Sequence, residues 1–134
     1  DQGKRFREWY TDVSAELLRV LKPGGFFFSF SSPRLYHNMA CAMEDAGFLV
    51  KDQFLWLYTQ NQPKAMSLNH VIDRIDAPPE ERAALKADLE GWKTPQVKSC
   101  HEPIALGQKP LIGSFLDNHI EHQVGLVDTK QTVG

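Results

Sequence analysis

The tetrapeptide Lys22-Pro23-Gly24-Gly25 constrains this chain more than any other feature, because it sets a helix directly against a strand. Before it, Trp9, Val13, Leu17 and Leu21 recur every four residues, and Leu18 and Val20 broaden the stripe. That is the spacing of an amphipathic helix. Proline cannot extend the helical hydrogen-bond ladder, and glycine accepts the left-handed backbone on which helices end. Phe26 to Ser31 follows at once. It is short, aromatic and apolar on both faces, which predicts a strand buried between layers of helix.

The same alternation continues. Ser32-Pro33 reads as the start of a second helix, with Ser32 as N-cap and Pro33 in the first turn. Leu35, Met39, Met43 and Ala46 lie along one side of it, and Gly47 stops it. Phe48 to Thr59 reads as a longer strand in which Phe54, Trp56 and Tyr58 alternate with Leu55 and Leu57, so that both faces are expected to be covered. Helix, strand, helix and strand with tight joins predict an α/β sheet.

Gln60 to Lys64 is polar and loop-like. Leu68, Val71, Ile72 and Ile75 then take helical spacing behind Ser67, and Pro78-Pro79-Glu80-Glu81 opens a charged, exposed helix carrying Leu85 and Leu89. Asn61 to Ser99 is therefore read as a mainly helical insertion on the sheet edge. Within Glu102 to Lys109, Ile104-Ala105-Leu106 is a strand expected to pair antiparallel with the long one. The tail from Leu111 to Gly134 combines a short helix near Phe115–Ile120 with polar loop.

Composition narrows the class. The chain has 134 residues, 42% of them hydrophobic, with 8 Phe, 3 Trp and 3 Tyr, enough for a packed core rather than disorder. The net charge of -2 gives no bulk support for nucleic-acid binding and leaves that task to local patches. Cys41 and Cys100 form no disulfide framework and fit a reducing cytoplasm, and no apolar run approaches a membrane span. A start at Asp1 without methionine suggests a fragment, a processed product or an incompletely recorded sequence.

Leu18 to Gly25 followed by an aromatic strand resembles the join between the fourth helix and the fifth strand of Rossmann-like methyltransferases. Arg34-Leu35-Tyr36-His37 and Ala40 to Phe48 resemble phage and bacterial DNA methylases. So do Trp56-Leu57-Tyr58 with Pro63-Lys64, Leu68-Asn69 and Ile72-Asp73, then Lys98 to Ile104 with Lys109-Pro110-Leu111, and finally Gly125 to Asp128. The matches run in order along nearly the whole chain.

The resemblance implies a single partial domain over residues 1–134. Its fold would be α/β, part of a Rossmann-like S-adenosylmethionine-dependent methyltransferase sheet, with residues 61–99 as a target-recognition region. The parent enzyme would methylate adenine N6 or cytosine N4 in DNA, in a bacterial cell or a phage-infected host. The family's acceptor motif, Asp-Pro-Pro-Tyr or Ser-Pro-Pro-Tyr, does not occur here, since Ala77-Pro78-Pro79-Glu80 is no equivalent; nor does a Phe-x-Gly-x-Gly cofactor loop. The chain alone is therefore expected to be inactive, with no catalytic residue of its own. The alternatives are a non-catalytic remnant that binds DNA or a partner, and an enzyme acting on RNA or a small molecule.

Candidate site residues follow from placement. Open α/β sheets bind ligands at the carboxyl ends of their strands, so Ser31, Ser32, Arg34 and His37, just after the phenylalanine strand, are expected to shape the cofactor or base pocket. The competing reading makes Ser32 a cap and Arg34 and His37 solvated. Asn61 and Lys64, with Gln62, and then Lys98 and His101 are the candidates for DNA contact, through phosphate attraction and base-edge readout. The alternatives are a solvated loop and local hydrogen bonding. Trp56 and Tyr58 are read as core aromatics, with base stacking the other option. His119 and His122 stand three apart and Cys100 precedes His101, but no fourfold ligand spacing accompanies them, and no metal is expected. An incomplete sheet exposes its edges, which a homodimer would cover.

Overall fold

A computed structural model describes residues 1–131. The chain forms two compact units, one built from residues 1–57 and the segment from His101 onward, the other from Tyr58–Cys100.

In the first unit, α1 (Gln2–Val20) is followed by β1 (Phe26–Phe30), α2 (Tyr36–Ala46), β2 (Leu49–Leu57) and β3 (His101–Gln108), with α5 (Phe115–His122) near the end. The sheet order is β1-β3-β2, and β3 is antiparallel to both neighbours. β1 and β2 thus run in the same direction, joined by α2, and β3 fills the gap between them. The sequence anticipates the antiparallel pairing of β3 with the long strand, but not its central place. That place depends on partners distant in sequence, such as Phe28 opposite Leu106.

Pleating divides the sheet into two unlike faces. Met39, Met43, Phe48 and Ala105 form the core, packed by Phe6, Tyr10, Leu17, Leu18, Leu21 and Phe27. Ser29, buried on this face, meets the Tyr10 hydroxyl and donates to Met39 Sδ at 3.0 Å. The opposite face is open. Phe28 and Phe30 are 55% and 50% exposed, and Trp56 is 59% exposed. The expectation that β1 and β2 are covered on both faces is therefore corrected. Both strands are edges of a three-stranded sheet, and the helices α1 and α2 pack on one side only. Trp56 is likewise no core residue, and Tyr58 is half-buried.

The second helix also differs from its expected start. It begins at Tyr36, and its N-cap position is Leu35, which makes no side-chain cap. Ser32 acts through its backbone instead, its carbonyl accepting from the N–H groups of Leu35 and Tyr36. Pro33 lies in this extra turn, outside the helix. Gly47 ends α2 as expected, at φ 113°, a conformation that favours glycine.

The Lys22–Gly25 turn is clamped by buried amides. Gln108 Nε2 donates to the carbonyls of Gly24 and Gly125, and Asn118 Nδ2 donates to those of Pro23 and Val124. At Gly24, with φ 80°, a Cβ would stand 2.5 Å from Asn118 Nδ2. Glycine is needed there for both backbone and space. Of the expected 111–134 tail, α5 is present, and residues 132–134 lie outside the described residues.

The second unit holds α3 (Asn69–Ile72) and α4 (Pro79–Asp88). Pro79 occupies the first turn of α4, and no residue of that helix is buried, as its charge pattern predicts. Ser67 Oγ accepts from Asn69 N–H at the start of α3. Asp73 on the α3 side pairs with Lys86 on α4 at 2.6 Å.

Candidate functional site

β1 delivers the chain through Ser31 and Ser32 to the start of α2, so the carboxyl end of β1 and the amino end of α2 share one rim. The start of α1 stands there too, because Gly3 lies against Asn38: a Cβ on Gly3 would be 2.8 Å from the Asn38 amide nitrogen. A side chain at position 3 would have to displace the end of the Asn38 side chain. Asp1 caps α1 by accepting from Gly3 N–H at 2.9 Å. Farther along, Arg7 and Asp45 form an ion pair at 2.8 Å that ties the helices together. The Arg7 hydrogen bond, and its charge, hold the Asp45 carboxyl below the usual carboxylate range.

Between the two helix starts lies an open cleft of about 420 Å³, lined by Asp1, Gln2, Gly3, Arg34, Leu35, His37 and Asn38. The structure brings Arg34 and His37 together on this cleft, both exposed. Ser31 and Ser32 form the turn that leads into it, with Ser31 N–H bonded to Pro103 carbonyl oxygen at 3.0 Å. Asn38 and the Gly3 end of α1 belong to the cleft as well and escape a reading of sequence alone. The signal for Asn38 is its place one residue beyond His37, with its amide 3.0 Å from His37 Nε2. Nothing in the sequence announces Gly3, whose role depends on how α1 meets α2.

The DNA-contact candidates are placed less uniformly. Asn61 Nδ2 donates to the Ser99 carbonyl and Asn61 Oδ1 accepts from Gln62 N–H, so this amide closes the base of the second unit. Lys98 Nζ donates to the Thr59 carbonyl at 2.6 Å at that same base. Lys64 is exposed. His101 is the half-buried first residue of β3, opposite Leu57. Among the described residues no three His, Cys, Asp or Glu side chains gather as a metal site, and no helix is long and apolar enough to cross a membrane.

The chain is 32% identical over 124 residues to the type II methyltransferase M.HindIII of Haemophilus influenzae. It belongs to the DNA methyltransferase family. The similarity covers 91% of this chain and 38% of the relative, so the chain spans well under half of that methyltransferase's length. No protein-family profile and no solved structure matches the chain. The family assignment therefore rests on sequence similarity to a DNA methyltransferase, and bears out the resemblance carried by the motifs from Leu18 to Asp128.

Proposed function

We propose that this chain is a segment of an S-adenosylmethionine-dependent enzyme that methylates an exocyclic amine of adenine or cytosine in DNA. The observation that carries this reading is the cleft at the carboxyl end of β1, in a chain whose family is that of DNA methyltransferases. Ligands of open α/β sheets bind at that end, and the parallel β1–α2–β2 unit suits a Rossmann-like sheet.

The donor set fits one end of the cofactor. Arg34 and the amino end of α2 offer positive charge and N–H groups to a carboxylate, such as the one on the amino-acid part of S-adenosylmethionine, and His37, whose Nε2 accepts from the Asn38 amide, offers a neutral ring N–H. The cofactor, when bound, supplies the methyl group on its sulfonium. Arg34 and His37 would orient it, and Asn38 would fix the His37 ring. The 134 residues contain no glycine-rich cofactor loop and no acceptor motif, so the chain by itself binds the cofactor weakly and transfers no methyl group. A base inside a duplex must leave its stack before its amine is reached. The second unit is the proposed target-recognition region, with Lys64 and Lys98 meeting phosphates and Asn61 and His101 at its margins.

The test is methyl transfer from labelled S-adenosylmethionine to unmethylated DNA, comparing this chain with a protein extended to the length of its relative. Label on DNA with the extended protein only, lost in its Arg34→Ala variant, supports the reading, and nucleoside analysis then names the base. Label on RNA or a small molecule, or none at all from a folded extended protein, refutes it.

A further inference from the structure

The second unit separates its charges. Two arms, residues 58–68 and 92–100, run antiparallel side by side. Tyr58 N–H bonds to the Cys100 carbonyl, Asn61 Nδ2 to that of Ser99, and Thr94 N–H to that of Met66. Met66 N–H in turn donates to Thr94 Oγ1 at 2.9 Å. The arms hold Lys64, Lys93 and Lys98, all exposed, and no acidic residue. Residues 69–91 between them, with α3 and α4, hold six acidic residues against Arg74, Arg82 and Lys86. Two of those three cations are already engaged by Asp73, Lys86 at its carboxylate and Arg82 at its carbonyl. A polyanion is thus drawn to the arms and repelled by the helical part.

Large apolar side chains stand exposed among the arm lysines: Met66, Val97 and above all Trp92, at 72% exposure. An indole so exposed is unusual, since tryptophans are highly buried on average. Among the described residues Trp92 is bonded through its backbone, N–H to the Leu89 carbonyl, and no ring packs on its indole. The space beside it is open, because a Cβ on Gly91 would meet nothing within 4 Å. Another polypeptide strand is a poor occupant. Pro63 and Pro95 lack the N–H that a ladder needs, and neither arm forms a regular strand. A ligand with flat apolar faces joined by negative charges suits both the indole and the lysines, and a nucleic acid is such a ligand.

We infer that the arms, and not α3 or α4, are the DNA-contacting surface of the second unit, and that Trp92 stacks on a base whose face is bared where the duplex stack is interrupted. Lys64, Lys93 and Lys98 meet the phosphates around that base. Interrupted stacking arises wherever a base leaves the duplex, so such a face is offered at the moment of the proposed reaction. The inference rests on the DNA substrate of the functional proposal and not on its cofactor chemistry. It assigns the helical part a supporting role, holding the two arms together at their far end.

The test is binding of the whole 134-residue chain to two labelled DNA duplexes, one fully paired and one with a single unpaired adenine, by fluorescence anisotropy over a series of low salt concentrations. The interrupted duplex is expected to bind about tenfold tighter, the scale of one base–aromatic stack. Trp92→Ala should erase that preference, and Trp92→Phe should keep most of it. Lys93→Gln should weaken both complexes and reduce the slope of log affinity against log salt by about 1. Arg74→Gln, in the helical part, should change neither preference nor slope. Four outcomes overturn the inference: no binding to either duplex, a preference that survives Trp92→Ala, an affinity that falls with Arg74→Gln but not with Lys93→Gln, or tighter binding to RNA of the same sequence. Methyl transfer is not read here. An extended protein that transfers no methyl group would sink the functional proposal, while DNA binding that depends on Trp92 and Lys93 would leave this one standing.

Discussion

Asn118 has no exposed surface, yet both ends of its amide are used: Nδ2 donates to the Pro23 and Val124 carbonyls and Oδ1 accepts from Ile112 N–H. Removing such a group leaves buried partners without bonds, which costs more than the bonds themselves contribute. Asn118→Ala should destabilise the chain by about 3 kcal/mol in urea unfolding, on the scale of one or two orphaned buried groups, and loosen the Lys22–Gly25 turn. The Arg7–Asp45 pair makes a different kind of prediction. Asp45 has a depressed folded pKa, first because of the Arg7 hydrogen bond. Its contribution is therefore present above the ordinary carboxylate pKa and is lost as pH falls through the folded value. Asp45→Asn should lower the melting temperature slightly at neutral pH, and that difference should vanish well below pH ~4, the ordinary carboxylate range. The pair is exposed and the effect small.

Among the elements, the contact of α2 with β3 depends on size complementarity. Met43 is fully buried, and its terminal methyl occupies the space that a Cβ on Gly107 would need, at 2.6 Å. Met43→Ala should cost roughly 2–5 kcal/mol. Combined with Gly107→Ala it should cost less than the sum of the two single changes, since each relieves the crowding or fills the void made by the other; chemical denaturation of all four forms measures this. Much of the element order is legible in the sequence. Helical spacing announces α1, and Gly47 announces the end of α2. What is not legible depends on contacts far apart along the chain. The Phe26–Phe30 run looks the same whether one face or two are covered, and only the packing of α1 and α2 on the Ser29 side decides. The same holds for the cleft. Arg34 and His37 are found from their place after a strand, whereas Gly3 and Asn38 become partners only when α1 and α2 pack. Asn61 and Lys98 look like free polar groups in the sequence because the Thr59 and Ser99 carbonyls that engage them are 38 or 39 residues away.

At the scale of the whole molecule, the second unit departs from the sheet at one point. Leu57 pairs with His101, and Tyr58 N–H bonds to the Cys100 carbonyl, so β2 and β3 would make an ordinary hairpin if the residues between were short. Replacing residues 59–99 by Asn-Gly, a favoured two-residue hairpin turn, should leave the first unit folded, with the Phe28–Leu106 and Phe54–Ile104 pairings preserved in nuclear Overhauser contacts. Collapse of those contacts would show that the sheet needs the second unit. The two points where residues 58–100 leave and re-enter are one strand spacing apart. The length between them is thus a variable that natural selection can change at little entropic cost, because loop closure grows only slowly with chain length. Lineages that inherit this sheet are free to trade one inserted unit for another at the hairpin tip while the scaffold stays unaltered.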